Sequence, residues 1–423
     1  MDPAFRNRAF LAFAAGFCFF FGLVLRAPSL VAFAVALLLL VAAARATARR
    51  NLAHLDARRS LTANAFEDEE VRVEIALDNR GRASVSLVEI LDSFGAALAE
   101  GKALLDPGPL RPGRRHRLGY RTLCSRLWGV YTVGPLALSV ADPLGLFSAR
   151  RLLPDVRPFD LFPRVHPVGG LDQLGARTSF APTDATAARP GTSAVYLGVR
   201  DFRPGDDLRR VHWPATARHG RPMVKELELD LSPYFSLFLD LERKHRAGTG
   251  QKSTREYVVR TAASLLATAA RRGDTVQLFG EGRQALAVAP GRGELHLAYA
   301  LDQLIRVHQD GGLPLLDLVQ REQAQIPAGS TAALLAATPF LDLGRLAEIL
   351  ASLRARRVLP VLVAVDMDSF VPIDQRSRPR SLVLEQAEEL RVLAHAHGAL
   401  LAIFDAERDL PAELARPDWL EAA

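Results

Sequence analysis

Asp206, Asp207 and His212 are the side chains in this sequence whose types and spacing could do acid–base or metal chemistry together. A carboxylate beside an imidazole can hold a metal-bound water or pass a proton. One histidine, with no second histidine or cysteine at ligand spacing, makes a thin site, so a structural part for His212 is the expectation. A metal-dependent hydrolase using Asp206, Asp207 and His212 stands as the enzymatic alternative. Arg203, Arg209, Arg210 and Arg218 crowd the same stretch. Guanidinium groups make forked bonds to carboxylates. They imply either a buried lattice with Asp201, Asp206 and Asp207 that docks the segment between domains, or an exposed face of mixed charge for a partner protein. His54, His116, His166 and His219 form no constellation. The sequence has no Gly-rich phosphate loop and no defensible Ser–His–Asp order.

These residues sit in a segment over 196–231. Pro204-Gly205-Asp206-Asp207 is a turn: proline presets φ, glycine permits positive φ, and aspartate bonds its own backbone. Asp206 or Asp207 then caps a short helical stretch holding Leu208, Val211 and His212. Trp213-Pro214 is expected to stop that stretch, with Trp213 of the buried type. Arg218 to Pro222 is a second turn, and Met223 to Leu231 reads as a strand.

The segment resembles the signature of the domain-of-unknown-function 58 family, through Arg203, Pro204, Gly205, Asp206, Asp207, Arg209, Trp213, Ala217 and Arg218. A second match is Trp128 to Pro135 followed by Asp142 to Phe147. The resemblance implies a von Willebrand factor A-like domain after the segment, and work beside a MoxR-type AAA+ ATPase and its client proteins. It implies no settled activity. A-domains place a metal at the strand ends, using an Asp-x-Ser-x-Ser run with a later Thr and Asp, oxygens that suit Mg²⁺. Asp240 stands at the first position, but Glu242 and Lys244 replace the serines. Thr338, Asp366, Asp368 and Ser369 could supply substitute oxygens. The expectation is no catalytic residue and no cofactor, with Asp240, Thr338, Asp366 and Asp368 as weak candidates for Mg²⁺.

The rest of the chain must hold this segment in place. At 423 residues, two or three domains are expected. The 53 basic residues outnumber the 47 acidic ones, a net charge of +6 that admits nucleic acid, anionic lipid or an acidic partner. Two cysteines, Cys18 and Cys124, exclude a disulfide framework. Residues 1–45 read as a transmembrane hairpin: apolar runs Ala9–Leu25 and Leu30–Ala44, each about 15 to 17 residues, flank Arg26-Ala27-Pro28-Ser29. The first run followed by a second, with no cleavage site, argues against a signal peptide. Arg6, Arg8, Arg45, Arg49, Arg50, Arg58 and Arg59 at the outer ends put both termini and the soluble domains in the cytoplasm of a bacterial cell, at its inner membrane.

Residues 57–156 read as an antiparallel, immunoglobulin-like β-sandwich. Val71, Val73, Ile75 and Leu77 alternate, Asn79 to Arg82 is a hairpin-type turn, and Val85–Leu91, His116–Leu123 and Val130–Val140 follow as strands. Glu67 to Glu70 reads as a solvated turn. Arg111, Arg114, Arg115, Arg117, Arg121 and Arg126 are read as charge protecting a sheet edge, with a nucleic-acid surface as the alternative. Residues 157–195 form an extended connector. Residues 232–410 alternate strand and helix, which predicts a mostly parallel, doubly wound sheet. The reading is a membrane-anchored adaptor or assembly factor; the hydrolase and a nucleic-acid-binding module are its rivals.

Overall fold

The computed structural model describes residues 3–98, 101–106, 108–171, 196–203, 211–227, 233–338, 341–372, 374, 376 and 379–422. The chain divides into two compact units, Met1–Arg164 and Val165–Ala423.

The first unit opens with two helices, α1 (Pro3–Val24) and α2 (Pro28–Ala53), and Pro28 begins α2, where a missing N–H costs nothing. Among the described residues α2 alone is long and apolar enough to cross a membrane; the apolar part of α1, Ala9–Val24, is shorter. α2 continues past the predicted end at Ala44 through Arg45, Arg49 and Arg50. Ala44, Ala48 and Leu52, four residues apart, are buried on one face of that extension.

Nine strands follow: β1 (Leu55–Ser60), β2 (Asn64–Phe66), β3 (Glu70–Asn79), β4 (Val88–Phe94), β5 (Lys102–Asp106), β6 (Arg115–Leu123), β7 (Gly129–Ala141), β8 (Ser148–Leu153) and β9 (Arg157–Phe162). One sheet has the order β1-β3-β6; the other runs β2-β9-β7-β4-β5, with β8 also on β7. All these pairings are antiparallel except β2 with β9. Val71, Val73, Ile75 and Leu77 of β3 share one core with Val88, Ile90, Leu136, Leu138 and Val140 from the other sheet. Period-two alternation puts one side of each strand in that core. β6 is an edge strand, and its Arg115 pairs with Asp78 on β3.

Two local expectations change. Asn79 to Arg82 is no hairpin turn, because β3 and β4 lie in different sheets. The Asn79 side chain accepts from the Gly81 N–H and donates to the carbonyls of Ala83 and Leu110, which redirects the chain to the second sheet. Glu67 is not solvated: it is buried, and its carboxylate accepts from the backbone N–H groups of Trp128 and Arg164.

A charged network crosses the core. Arg59 of β1 donates to Asp92 of β4 at 2.5 Å and to the Val133 and Asp155 carbonyls, and the Tyr120 hydroxyl donates to Asp92 at 2.8 Å. Both side chains of the Arg59–Asp92 pair are fully buried. Burial raises the Asp92 carboxyl above its usual range, against the pull of Tyr120 and Arg59.

In the second unit, β10 (Tyr196–Asp201) and β11 (Met223–Leu227) form an antiparallel ribbon, with α3 (Trp213–His219) between them in sequence. Then come β12 (Tyr234–Leu239), the short pair β13 (Gly248–Thr249) and β14 (Lys252–Ser253), α4 (Thr254–Arg271), β15 (Thr275–Glu281), β16 (Ala285–Gly291), α5 (Gly293–Leu304), α6 (Leu315–Glu322), β17 (Thr331–Thr338), α7 (Leu343–Ala355), β18 (Leu359–Asp366), α8 (Arg380–Ala396), β19 (Leu400–Phe404), α9 (Leu410–Ala415) and β20 (Glu421–Ala422). The main sheet has seven strands in the order β16-β15-β12-β17-β18-β19-β20. β15, β12, β17, β18 and β19 are mutually parallel, and β16 and β20 add antiparallel edges. It is a mixed sheet in an α/β region. Ala332 to Ala336 of β17 are all fully buried, as a central strand covered on both faces requires. Ser253 caps α4 by accepting from the Glu256 N–H, and Asp342 caps α7 by accepting from the Arg345 N–H. β20 and α6 have no counterpart in the sequence reading.

Candidate functional site

The parallel strands bring their carboxyl ends to one edge of the sheet, where side chains are released from the ladder and available to a ligand. β12, an interior strand between β15 and β17, ends just before Asp240. The Asp240 carboxylate is buried and accepts from three donors: the Glu242 N–H at 3.1 Å, the Ala337 N–H at 3.1 Å and, at 2.5 Å, His245 Nδ1. The chain then makes a 3₁₀ turn, Arg243–His245, which brings the imidazole back onto the strand end. His245 Nε2 lies 3.7 Å from Glu242 Oε2, while Lys244 Nζ binds the other carboxylate oxygen, Oε1, at 2.8 Å. Asp240, Glu242 and His245 are all buried, and one ligand atom of each lies within 4.8 Å of the others. Sequence reasoning missed His245. The signal was present: two acids and an imidazole at i, i+2 and i+5 directly after an apolar strand.

The other predicted oxygens are elsewhere. Thr338 ends β17 and pairs in register with Asp366 at the end of β18. β17 lies between β12 and β18, so Asp240 and Asp366 stand two strand spacings apart, roughly 10 Å. Among the described residues, Asp366 and Asp368 therefore join no ligand cluster with Asp240. Asp366 instead accepts from the Asp368 N–H at 3.1 Å and caps the 3₁₀ turn Met367–Phe370. Ser369 donates to the Asp366 carbonyl and accepts from the Ala406 N–H. These residues open onto a cleft of about 200 Å³ beside β19 and α8, floored by Leu401, Ile403 and Phe404 and rimmed by Arg376, Asp405 and Arg408. Burial, with the charges of Asp368 and Asp405 adding to it, holds the Asp366 carboxyl above its usual range.

In the signature segment, Pro204, Gly205, Asp206, Asp207, Arg209 and Arg210 lie outside the described residues, as does the proposed turn. Arg203 is exposed after β10, and Arg218 is exposed on α3. Asp201 pairs with Arg221 at 3.0 Å, both side chains more than half exposed, so this part of the segment is a solvated face and not a buried lattice. Trp213 is 71% exposed, contrary to its buried reading. It also starts a helix where a stop was expected. His212 is the cap: its Nδ1 accepts from the Ala215 N–H at 3.1 Å, and Pro214 occupies the first turn, where proline is tolerated. His212 thus has a structural part. The second signature stretch is also structural: Trp128 is buried, and Asp142 accepts from the Leu144 and Phe147 N–H groups to close its turn.

A model of a family described as protein of unknown function DUF58 matches residues 198–411, just over half of the 423-residue chain. The chain belongs to the DUF58 family. The match takes in both the ribbon that carries Trp213 and most of the mixed sheet. Among curated proteins, this DUF58 chain is similar to YeaD of Bacillus subtilis (strain 168), itself described as uncharacterized, with 29% identity over 130 residues. The match spans 31% of this chain and 31% of YeaD, about a third of that relative's length. Among solved structures, the CARDB domain of a Pyrococcus furiosus protein, in complex with di-metal ions, is 12% identical over 25% of this chain and 91% of its own, with a TM-score of 0.18. Proximal thread matrix protein 1 of the mussel byssus is 12% identical, covers 44% of this chain and 45% of its own, and has a TM-score of 0.29. Likenesses this partial assign the DUF58 chain no fold.

Proposed function

We propose that this DUF58 protein is a membrane-anchored docking protein that binds a partner and performs no bond chemistry itself. The observation that carries the reading is Trp213. A family-signature tryptophan stands 71% exposed on a short capped helix, between the strands of a ribbon that carries the solvated Asp201–Arg221 pair. Exposed aromatic residues among polar neighbours are the usual anchors of protein interfaces. The partner, on the family resemblance, is a MoxR-type AAA+ ATPase with its clients. In this reading the first unit is an immunoglobulin-like β-sandwich and the mixed sheet is an A-like domain. α1 and α2 form a hairpin in a bacterial inner membrane, with the arginines after α2 and both termini in the cytoplasm. The hydrolase alternative loses support because His212 Nδ1 accepts from the Ala215 N–H, which uses the neutral ring's lone pair and leaves Nε2 carrying the proton.

The test uses the full chain in lipid nanodiscs and the MoxR-type ATPase encoded in the same genome, with binding followed without nucleotide, with ADP and with ATP. Binding is expected in at least one nucleotide state, weakened tenfold or more by Trp213→Ala at an unchanged melting temperature. No binding in any state, or binding indifferent to Trp213→Ala, would sink the reading.

A further inference from the structure

We propose that Glu242 and His245 ligate a divalent cation of the zinc class at the carboxyl end of β12, with Asp240 as the carboxylate that orients the imidazole. This inference does not depend on the docking reading. Glu242 is a buried carboxylate, 8% exposed as a residue. Lys244 satisfies Oε1 at 2.8 Å, but Oε2 is buried with no hydrogen-bond partner among the described residues. A buried carboxylate oxygen without a donor is costly, and such atoms mark strain, catalysis or an ion. The group it faces is His245 Nε2, 3.7 Å away.

The other imidazole nitrogen fixes which atom is offered. Nδ1 contacts Asp240 Oδ2 at 2.5 Å, so Nδ1 carries the donated proton. Asp240 is itself locked by the backbone N–H groups of Glu242 and Ala337. A carboxylate bonded to one ring nitrogen sets the tautomer and aims the other nitrogen at a metal, the arrangement common behind metal-ligating histidines. With metal–nitrogen and metal–oxygen bonds of about 2.0–2.2 Å and a tetrahedral angle, two ligand atoms sit about 3.4 Å apart. The Nε2 to Oε2 separation differs from that by a few tenths of an ångström. Water completes the shell.

The donor set also chooses the ion. Imidazole with carboxylate suits zinc and its first-row neighbours, whereas Mg²⁺ prefers oxygen alone and an octahedron. The ligands are thus neither the Asp-x-Ser-x-Ser pattern nor the Thr338, Asp366 and Asp368 set. Lys244 is no obstacle: it neutralises the oxygen that the cation does not use, and its side chain is half exposed.

The experiment titrates tag-free, chelator-stripped full chain in nanodiscs with Zn²⁺ by calorimetry, and with Co²⁺ by its visible absorption. One Zn²⁺ per chain is expected, with Co²⁺ giving the intense bands of a four-coordinate site and Mg²⁺ giving no heat. Glu242→Gln and His245→Asn should each weaken Zn²⁺ at least tenfold, and Asp240→Asn 10- to 100-fold. Glu242→Gln keeps side-chain size, so it decides the matter if His245→Asn fails to fold. No Zn²⁺ binding by the unaltered chain, or binding that Glu242→Gln leaves unchanged, would overturn the proposal.

Discussion

Replacing Asp92 by alanine should cripple the first unit while leaving the second folded. The Arg59 guanidinium is fully buried and its close carboxylate partner is Asp92, so the substitution leaves that charge in the core with only the longer, part-exposed Asp155 carboxylate at 3.5 Å. It also takes the acceptor from the Tyr120 hydroxyl. Breaking a buried pair by removing one partner costs about 3–5 kcal/mol. Replacing both partners by apolar residues of similar size is often neutral, so Arg59→Met with Asp92→Leu should recover most of the loss. Tyr120→Phe removes a single hydrogen bond and should cost about 1–3 kcal/mol. The readout follows from where the tryptophans lie: Trp128 is buried in the first unit, while Trp213 and Trp419 belong to the second. In a Trp213→Phe, Trp419→Phe background, fluorescence reports the first unit alone. With a urea dependence of about 2 kcal/mol/M, the Asp92→Ala midpoint should fall by roughly 2 M. A fall worth under about 1 kcal/mol, or a double variant as unstable as the sum of the singles, would refute the claim that this pair is dry and coupled.

Two further outcomes follow from the titrating groups. Asp366 has a folded pKa above its unfolded value, chiefly through burial, so the folded state holds that proton more tightly and the group's contribution falls as pH rises through the window between them. Asp366→Asn should therefore raise the melting temperature at pH 7, with the gap closing below about pH 4; a gap that widens in acid would contradict the assignment. Cys124 is buried, and burial, aided by the Glu69 charge, pushes its thiol up to about 11. Maleimide should label it only after denaturation, and rapid labelling of native protein at pH 7 would show that the core around it opens.

The strands that cross the cores were legible because their burial writes itself into the residues, whereas β9 falls inside the stretch read as an extended connector. Val71 to Leu77 alternate because one face is wet, and Ala332 to Ala337 do not because neither face is. What failed was anything decided by a partner distant in sequence. Asn79 looked like a hairpin turn until its bond to the Leu110 carbonyl placed β4 in another sheet. Glu67 looked solvated among its acidic neighbours, yet the backbone of Trp128 and Arg164 draws it inside. Trp213 was misread because tryptophan is usually buried, and nothing local says that a residue faces outward. At the strand ends Asp240 was found by position, but His245 was not, because only the 3₁₀ turn folds its ring back to the carboxylate.

The extension of α2 has a mechanical consequence. At 26 residues the helix is about 39 Å long, some 9 Å more than a bilayer's hydrocarbon core. Its last turns pack on β7 and β8 through the Ala44, Ala48 and Leu52 face, and β1 begins only two residues after the helix ends. Where α2 crosses a bilayer, the first unit is therefore mounted on a shaft without a swivel. Any tilt of the helix, from a change in membrane thickness or a pull on the anchor, turns the whole β unit through the same angle.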